Sequence, residues 1–357
     1  MRILFLIIGC LFLQIAHAQI SISGKVISNE SGEPLSGASV YLNNTTIGTT
    51  TNSQGDFILR VPEHGLFELI VSFVSYEVIV HGITVADKDL RFVFKLNARP
   101  QEMRSILIMT DERRKRMMDL FRSQFLGITT PGLKSTIRNE SEVYFSAGEG
   151  KRDVYAHADK PLEVVNRELG YRIFFDLQDF YIDEESGRTY FAGFARYTEL
   201  DSPVAKRYIK KRKEYYYGST MHLFHSLYAG MAEQQQFRFF KKIQISNNGS
   251  VKLVKNPVSE FTLVYTDSAT GQKYLSWDDK ITVQYLRNPI YKNALAQQTM
   301  VSGSLPKGIE SDLTMLMKPV VFSELGLPET PLRIAYSGFW SYEKFGNMLP
   351  INYRPEP

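Results

Sequence analysis

The chain of 357 residues has 43% hydrophobic and 22% charged residues and a formal charge of +4, so it can bury the cores of two or three ordinary domains without staples. A charge this small for the length argues against nucleic acid as a partner. Its one cysteine, Cys10, falls inside an N-terminal export signal, which leaves the mature chain no thiol for a disulfide, a nucleophile or a cysteine-ligated metal.

Residues 1–18 read as that signal. Met1-Arg2 supplies the charge, Ile3 to Ile15 the short apolar stretch, and Ala16-His17-Ala18 the small-residue site, with cleavage before Gln19. Ile7-Ile8-Gly9-Cys10 imitates a lipoprotein box, but the residues after Cys10 are apolar where a lipid-anchored chain begins a polar tether. No later stretch reaches the ~20 apolar residues of a membrane-spanning helix. The expected address is the periplasm or the outer-membrane periphery.

Ile20 to Ser23 alternates apolar and polar residues as a half-buried strand does. The turn formers Asn29 to Pro34 lead into Val40 and Leu42, and Asn52 to Gly55 form a second turn, in which Gly55 suits a positive φ. Phe57, Leu59 and Val61 then share one face, and Phe67 to Val74, Val78 to Val85 and Arg91 to Leu96 complete seven strands. Three motifs, Gly24/Val26, Pro34-Leu35-Ser36-Gly37-Ala38-Ser39-Val40 and Thr51 to Phe57, resemble those of the carboxypeptidase-like regulatory domain. The resemblance implies a transthyretin-like β-sandwich over residues 19–97, a non-catalytic module of Gram-negative envelope proteins. It does not bring a peptidase with it, because neither His64 nor His81 nor His157 begins the H-x-x-E pair of a zinc carboxypeptidase.

Pro100 ends the last strand, and residues 98–110 read as a linker containing a possible strand from Ser105 to Met109. From 111 to 357 the pattern predicts a β-rich α+β domain with about two helices. One starts at the cap Thr110, with Asp111-Glu112 in its first turn and a stripe of Met117, Leu120, Phe121 and Phe125. The other starts at Ser219 and runs through His222, Leu223, Leu227 and Met231. Strands are expected at Tyr171 to Leu177, Arg188 to Thr198, Phe237 to Ile245, Glu260 to Tyr265 and Lys280 to Leu286. Helices and prolines interrupt the alternation an outer-membrane barrel requires. The blocks Phe125-Leu126-Gly127, Pro161-Leu162, Asn166 to Tyr171, Tyr217-Gly218-Ser219, Gly338 to Ser341 and Leu349-Pro350 are similar to those of an uncharacterised Bacteroidetes-type exported family, a resemblance that implies address and fold without chemistry.

Few residues suggest chemistry. His222 and His225 share a helix face but lack a third ligand. Ser219 lacks the G-x-S-x-G elbow and already serves as a cap. Asp176, Asp179, Asp183, Glu184 and Glu185 do not match a calcium loop and fit a solvated hairpin end. The densest one-signed charge is Arg207, Lys210, Lys211, Arg212 and Lys213, followed by Tyr215, Tyr216 and Tyr217, with a second run at Arg113 to Arg116. The first run is the candidate partner-binding surface. No catalytic residue, metal site or cofactor is assigned. The sequence thus points to a non-enzymatic exported envelope protein that binds another envelope protein or a polyanionic surface, the rival being a glycan or peptide hydrolase whose acid pair spacing does not reveal.

Overall fold

The computed structural model describes residues 20–62, 64–99, 109–147, 153–183, 189–247, 250–286, 309–326, 328 and 333–356. The expected signal at residues 1–18, most of the linker with the strand expected there, Arg188, and the carboxylates Glu184 and Glu185 lie outside the described residues. The chain divides into two compact units, Met1–Tyr41 with Ile47–Ala98 and Leu42–Thr46 with Arg99–Pro357.

The first unit is a seven-strand β-sandwich. One sheet has the order β4-β1-β7, with β1 at Ile20–Ser28, β4 at Asp56–Val61 and β7 at Leu90–Leu96. The other has the order β3-β2-β5-β6, from Gly48–Thr50, Ser39–Leu42, Gly65–Ser72 and Ile79–Val85. Strict alternation in β4 sends Phe57, Leu59 and Val61 inward and leaves Ile58 and Arg60 outside, as the period of two requires. The family motifs are stitched to one another: the Thr51 hydroxyl accepts from the Ala38 N–H at 2.9 Å and donates to the Leu35 carbonyl at 2.5 Å. Gly55 adopts φ 78° in the turn that Asn52 closes by accepting from the Asp56 N–H at 2.8 Å.

Among the described residues, the second unit has three sheets. The largest follows the order β8-β11-β12-β10-β9, with β13 also paired to β12. Its strands are Ser135–Ile137 (β8), Val143–Ala147 (β9), Asp153–Ala158 (β10), Leu162–Asn166 (β11), Tyr171–Asp183 (β12) and Thr189–Glu199 (β13). A five-stranded sheet, β15-β14-β18-β19-β21, uses Phe237–Asn247 (β14), Ser250–Val258 (β15), Lys280–Tyr285 (β18), Ile309–Met315 (β19) and Ile334–Gly338 (β21). A small sheet joins Val264–Thr266 (β16), Lys273–Leu275 (β17) and Val320–Val321 (β20).

Helix α1 spans Asp111–Phe125, with Thr110 accepting from the Arg113 N–H as predicted. Its stripe enters the core. Phe121 meets Phe180 at 4.6 Å, and Phe125 stacks on Phe345 at 4.7 Å. A four-residue helix α2, Thr130–Leu133, follows. Ser219 caps the predicted second helix, but that helix ends at Ala229, because Gly230 at φ 65° turns the chain before Met231. Between them lies a helix that the two-helix expectation lacked, Lys206–Tyr216, so the order becomes α3 for Lys206–Tyr216 and α4 for Thr220–Ala229. Where a strand was expected from Glu260 to Tyr265, a 3-10 turn occupies Glu260–Thr262 and only β16 is extended. The cause is the buried Glu260 carboxylate, which accepts from the Ala232 N–H at 2.6 Å and holds the turn.

Candidate functional site

Helix α3 sorts the candidate residues by its 3.6-residue period. Tyr208, Arg212, Tyr215 and Tyr216 fall at i, i+4, i+7 and i+8, and all four are buried. This corrects the expectation that Arg212, Tyr215 and Tyr216 belong to an exposed surface. Arg212, 5% exposed, donates from Nε to the Leu169 carbonyl at 2.7 Å and from Nη2 to the Gly170 carbonyl at 3.1 Å. Its two Nη atoms also grip both oxygens of Glu199, at 3.0 and 2.5 Å, while its guanidinium carbon lies 3.7 Å from the Tyr171 ring centroid. A planar five-donor fork is what such a site needs, and a lysine has no equivalent. Arg212 is therefore a structural clamp.

The remaining cations differ in what they hold. Lys211 is paired with Glu214 at 2.7 Å and with the buried Glu168 at 3.5 Å, and Glu168 also takes Lys134 at 2.6 Å. Lys213 donates to the Glu356 carbonyl at 2.8 Å. Arg207 lies over the Tyr208 ring and 3.8 Å from Asp201, and its side chain is 71% exposed. Lys206 and Lys210 are exposed on the same outer side. On α1, Arg114 donates to the Val143 carbonyl at 3.1 Å, while Arg113, Lys115 and Arg116 are exposed.

A cavity of about 290 Å³ opens beside the clamp, lined in part by Tyr171, Glu199, Val204, Ile209, Arg212 and Tyr353. Burial drives the Tyr171 hydroxyl far above its ordinary range, opposed in part by the Arg212 cation, and pushes Tyr353 up to about 12. Both phenols stay protonated at neutral pH. Glu199 is committed by both oxygens to Arg212. The cavity offers hydrogen bonds and ring faces to a ligand, and its lining also includes Thr46, Asn352, Arg354 and Glu356.

The histidines of α4 are occupied inside the fold. His222 accepts at Nδ1 from the Gly218 N–H at 3.1 Å and reaches Gln235 Oε1 from Nε2 at 3.4 Å. His225 Nδ1 is 2.9 Å from the Tyr216 hydroxyl, and its Nε2 is buried. Burial, aided by the nearby Arg354 charge, lowers His225 to about 4. Among the described residues, no group of three or more His, Cys, Asp or Glu side chains is placed to hold a metal ion. Ser219 serves as the α4 cap. Asp176 is a buried residue within β12, away from the hairpin end at which the sequence pattern had placed it.

What the sequence did not reveal is that several of its short C-terminal motifs are tied to one another and to Gly346. Asn166 Nδ2 donates to the Gly346 carbonyl at 2.8 Å, and the Gly346 N–H donates to Leu126 at 3.1 Å. The Trp340 indole N–H donates to Gly218 at 2.9 Å. Gly218 sits at φ 89°, and a Cβ there would lie 2.7 Å from the Tyr285 ring, so both conformation and space demand glycine. The blocks are joints of one core.

Among solved structures, one similar chain is from a type II cohesin–X-dockerin complex of Acetivibrio cellulolyticus, an N-terminal interface mutant. It is 17% identical over 22% of this chain and 58% of that chain, with a TM-score of 0.20, so the match spans under two thirds of that chain's length. Another is a putative membrane-associated protein of unknown function from Bacteroides fragilis NCTC 9343, 12% identical over 74% of this chain and 87% of that one, with a TM-score of 0.19. Scores of this size carry no inference for the present chain. No curated protein sequence matches it significantly. No helix among the described residues is long and apolar enough to cross a membrane. The sequence model of the CarboxypepD_reg-like domain matches residues 22–108, and with the seven-strand sandwich and its stitched motifs this makes the N-terminal part of the chain a carboxypeptidase-regulatory-like domain.

Proposed function

We propose that the chain is a non-enzymatic protein of the cell envelope, exported on the Met1 to Ala18 signal, which engages a polyanionic surface through the outer side of α3. The observation that carries this reading is the division of that helix. Four buried residues, Tyr208, Arg212, Tyr215 and Tyr216, anchor it, while Lys206, Arg207 and Lys210 face outward. An anchored helix presents its cations with little further backbone ordering on binding. The non-enzymatic part is supported by the cavity, where Glu199 and Arg212 are spent on each other. The regulatory-like domain at residues 22–108 agrees with it.

Each cation near an anionic lipid surface contributes ~1 kcal/mol, so three amount to roughly 3 kcal/mol, or about 150-fold in affinity. The test is flotation of the mature protein with vesicles containing phosphatidylglycerol or lipopolysaccharide. The variant K206Q/R207Q/K210Q is expected to lose about 100-fold in affinity while melting as the wild type does. Equal binding by the two proteins would remove α3 from the account.

A further inference from the structure

The hairpin of β14 and β15 outruns its sheet. Only Phe237 to Phe240 of β14 pair with β18, whereas β14 and β15 stay paired from Phe239/Val258 to Asn247/Ser250. Beyond Phe240 the described pairings are therefore those of a two-stranded ribbon. Such a ribbon is marginal by itself in water. It also continues the inward-facing register of the sheet into solvent. Phe237 and Phe239 are core residues, and Ile243, two positions further on the same face from Lys241, is 45% exposed. Its cross-strand partner Val254 is 37% exposed.

The charge of this ribbon has one sign. Residues 241–255, KKIQISNNGSVKLVK, contain four lysines, no acid and five aliphatic residues. Lys241 and Lys255 are exposed, Lys241 on the face of Ile243 and Val254, and Lys255, opposite Lys242, on the other face, from which its long side chain reaches the ribbon's edge. The acids within reach come from other strands: Lys242 meets Asp312 at 3.0 Å, and Lys255 meets Glu310. Asp278, whose field Lys241 shares, is held by Lys318 at 2.6 Å. The Lys242 and Asp312 side chains are partly buried, at 31% and 16% exposure, whereas Lys255 is 41% exposed beside Glu310, and a pair open to water contributes little and exchanges readily for another anion.

We propose that this ribbon is a membrane-surface arm, which lays Ile243 and Val254 into the interface of an anionic lipid leaflet while the lysines engage the headgroups. The proposal rests on the reading that the protein engages a polyanionic surface, and it narrows that surface to lipid. Charge complementarity and the exposed aliphatic pair both call for such a partner, because aliphatic burial and lysine attraction reinforce one another at a lipid boundary, whereas a purely ionic surface offers nowhere to bury the pair.

The experiment is vesicle flotation of the mature wild type, of I243S/V254S, of K241Q/K255Q and of the α3 variant K206Q/R207Q/K210Q. Each is run with phosphatidylglycerol-containing vesicles and with phosphatidylcholine alone, and melting is recorded for every variant. The proposal expects I243S/V254S to weaken binding to the anionic vesicles roughly 10-fold or more and K241Q/K255Q to weaken it about 25-fold, with melting preserved because the replaced side chains are exposed. Unchanged binding of both arm variants, with loss in the α3 variant, would overturn the arm and leave the polyanion reading standing. Absence of wild-type binding to anionic lipid, or equal binding to phosphatidylcholine, would overturn the arm as well, and binding to isolated lipopolysaccharide would then show whether the broader reading survives. If the lysines only guard the sheet edge, K241Q/K255Q will self-associate and keep its lipid affinity, which also contradicts the proposal.

Discussion

The indole N–H of Trp340 donates to the carbonyl of Gly218 at 2.9 Å, across 122 positions of sequence. The same glycine gives its own N–H to His222 Nδ1, so the loop before α4 is held from both sides. Replacing Trp340 by Phe keeps a ring in the core but leaves a buried carbonyl unpaired, at a cost of about 1–3 kcal/mol. Chemical denaturation of W340F checks this, and a loss below the error of the measurement would mean that water reaches Gly218.

Arg212 is the one cation of its run whose removal should unfold rather than unbind. Deleting one partner of a buried ion pair costs roughly 3–5 kcal/mol, and the lower end applies because Glu199 is 34% exposed and can rehydrate. R212M is therefore expected to lose ~3 kcal/mol, with R212K losing nearly as much because one ammonium cannot serve Leu169, Gly170 and Glu199 together. K210Q, on the opposite side of the helix, should melt within ~0.5 kcal/mol of the wild type.

His225 makes the protein sensitive to acid. The unfolded imidazole takes its proton near 6.5, whereas burial lowers the folded value to about 4. Between those values the unfolded state binds more protons, so stability is present above 6.5 and is lost as pH falls toward 4, by at most roughly 3 kcal/mol. Urea midpoints at several pH values should fall over this window in the wild type and fall less in H225Q.

Glu343 acts with the opposite sign. Its carboxyl is pushed up to about 8, chiefly by burial and partly offset by the Thr220 backbone N–H. The folded state then holds a proton that the unfolded state releases near 4.5, so this contribution is present below 4.5 and lost as pH rises to 8. The side chain is only partly shielded at its surface, which limits the effect to roughly 2 kcal/mol. E343Q should gain on the wild type as pH is raised from 5 to 8.5, and a constant difference would show that the carboxyl ionises normally.

The sandwich was legible because its signals are local. Phe57, Leu59 and Val61 alternate, and Asn52 to Gly55 spell a turn, with no distant residue needed to interpret them. The caps Thr110 and Ser219 were legible for the same reason. Helix α3 was hidden because its N-cap, Ala205, makes no side-chain bond and its inner face is made of tyrosines and an arginine rather than aliphatic residues. The role of Arg212 depends on Leu169, Gly170 and Glu199, which no spacing rule connects to it. Charge density alone grouped it with Lys210, and the helix put the two on opposite sides.

Binding of the mature wild-type protein to phosphatidylglycerol vesicles, titrated from about 50 to about 200 mM salt, tests the central claim most directly. The account predicts saturable binding that weakens steadily as salt rises, with no uptake by phosphatidylcholine alone. Salt-independent binding, or none at the lowest salt, would contradict it.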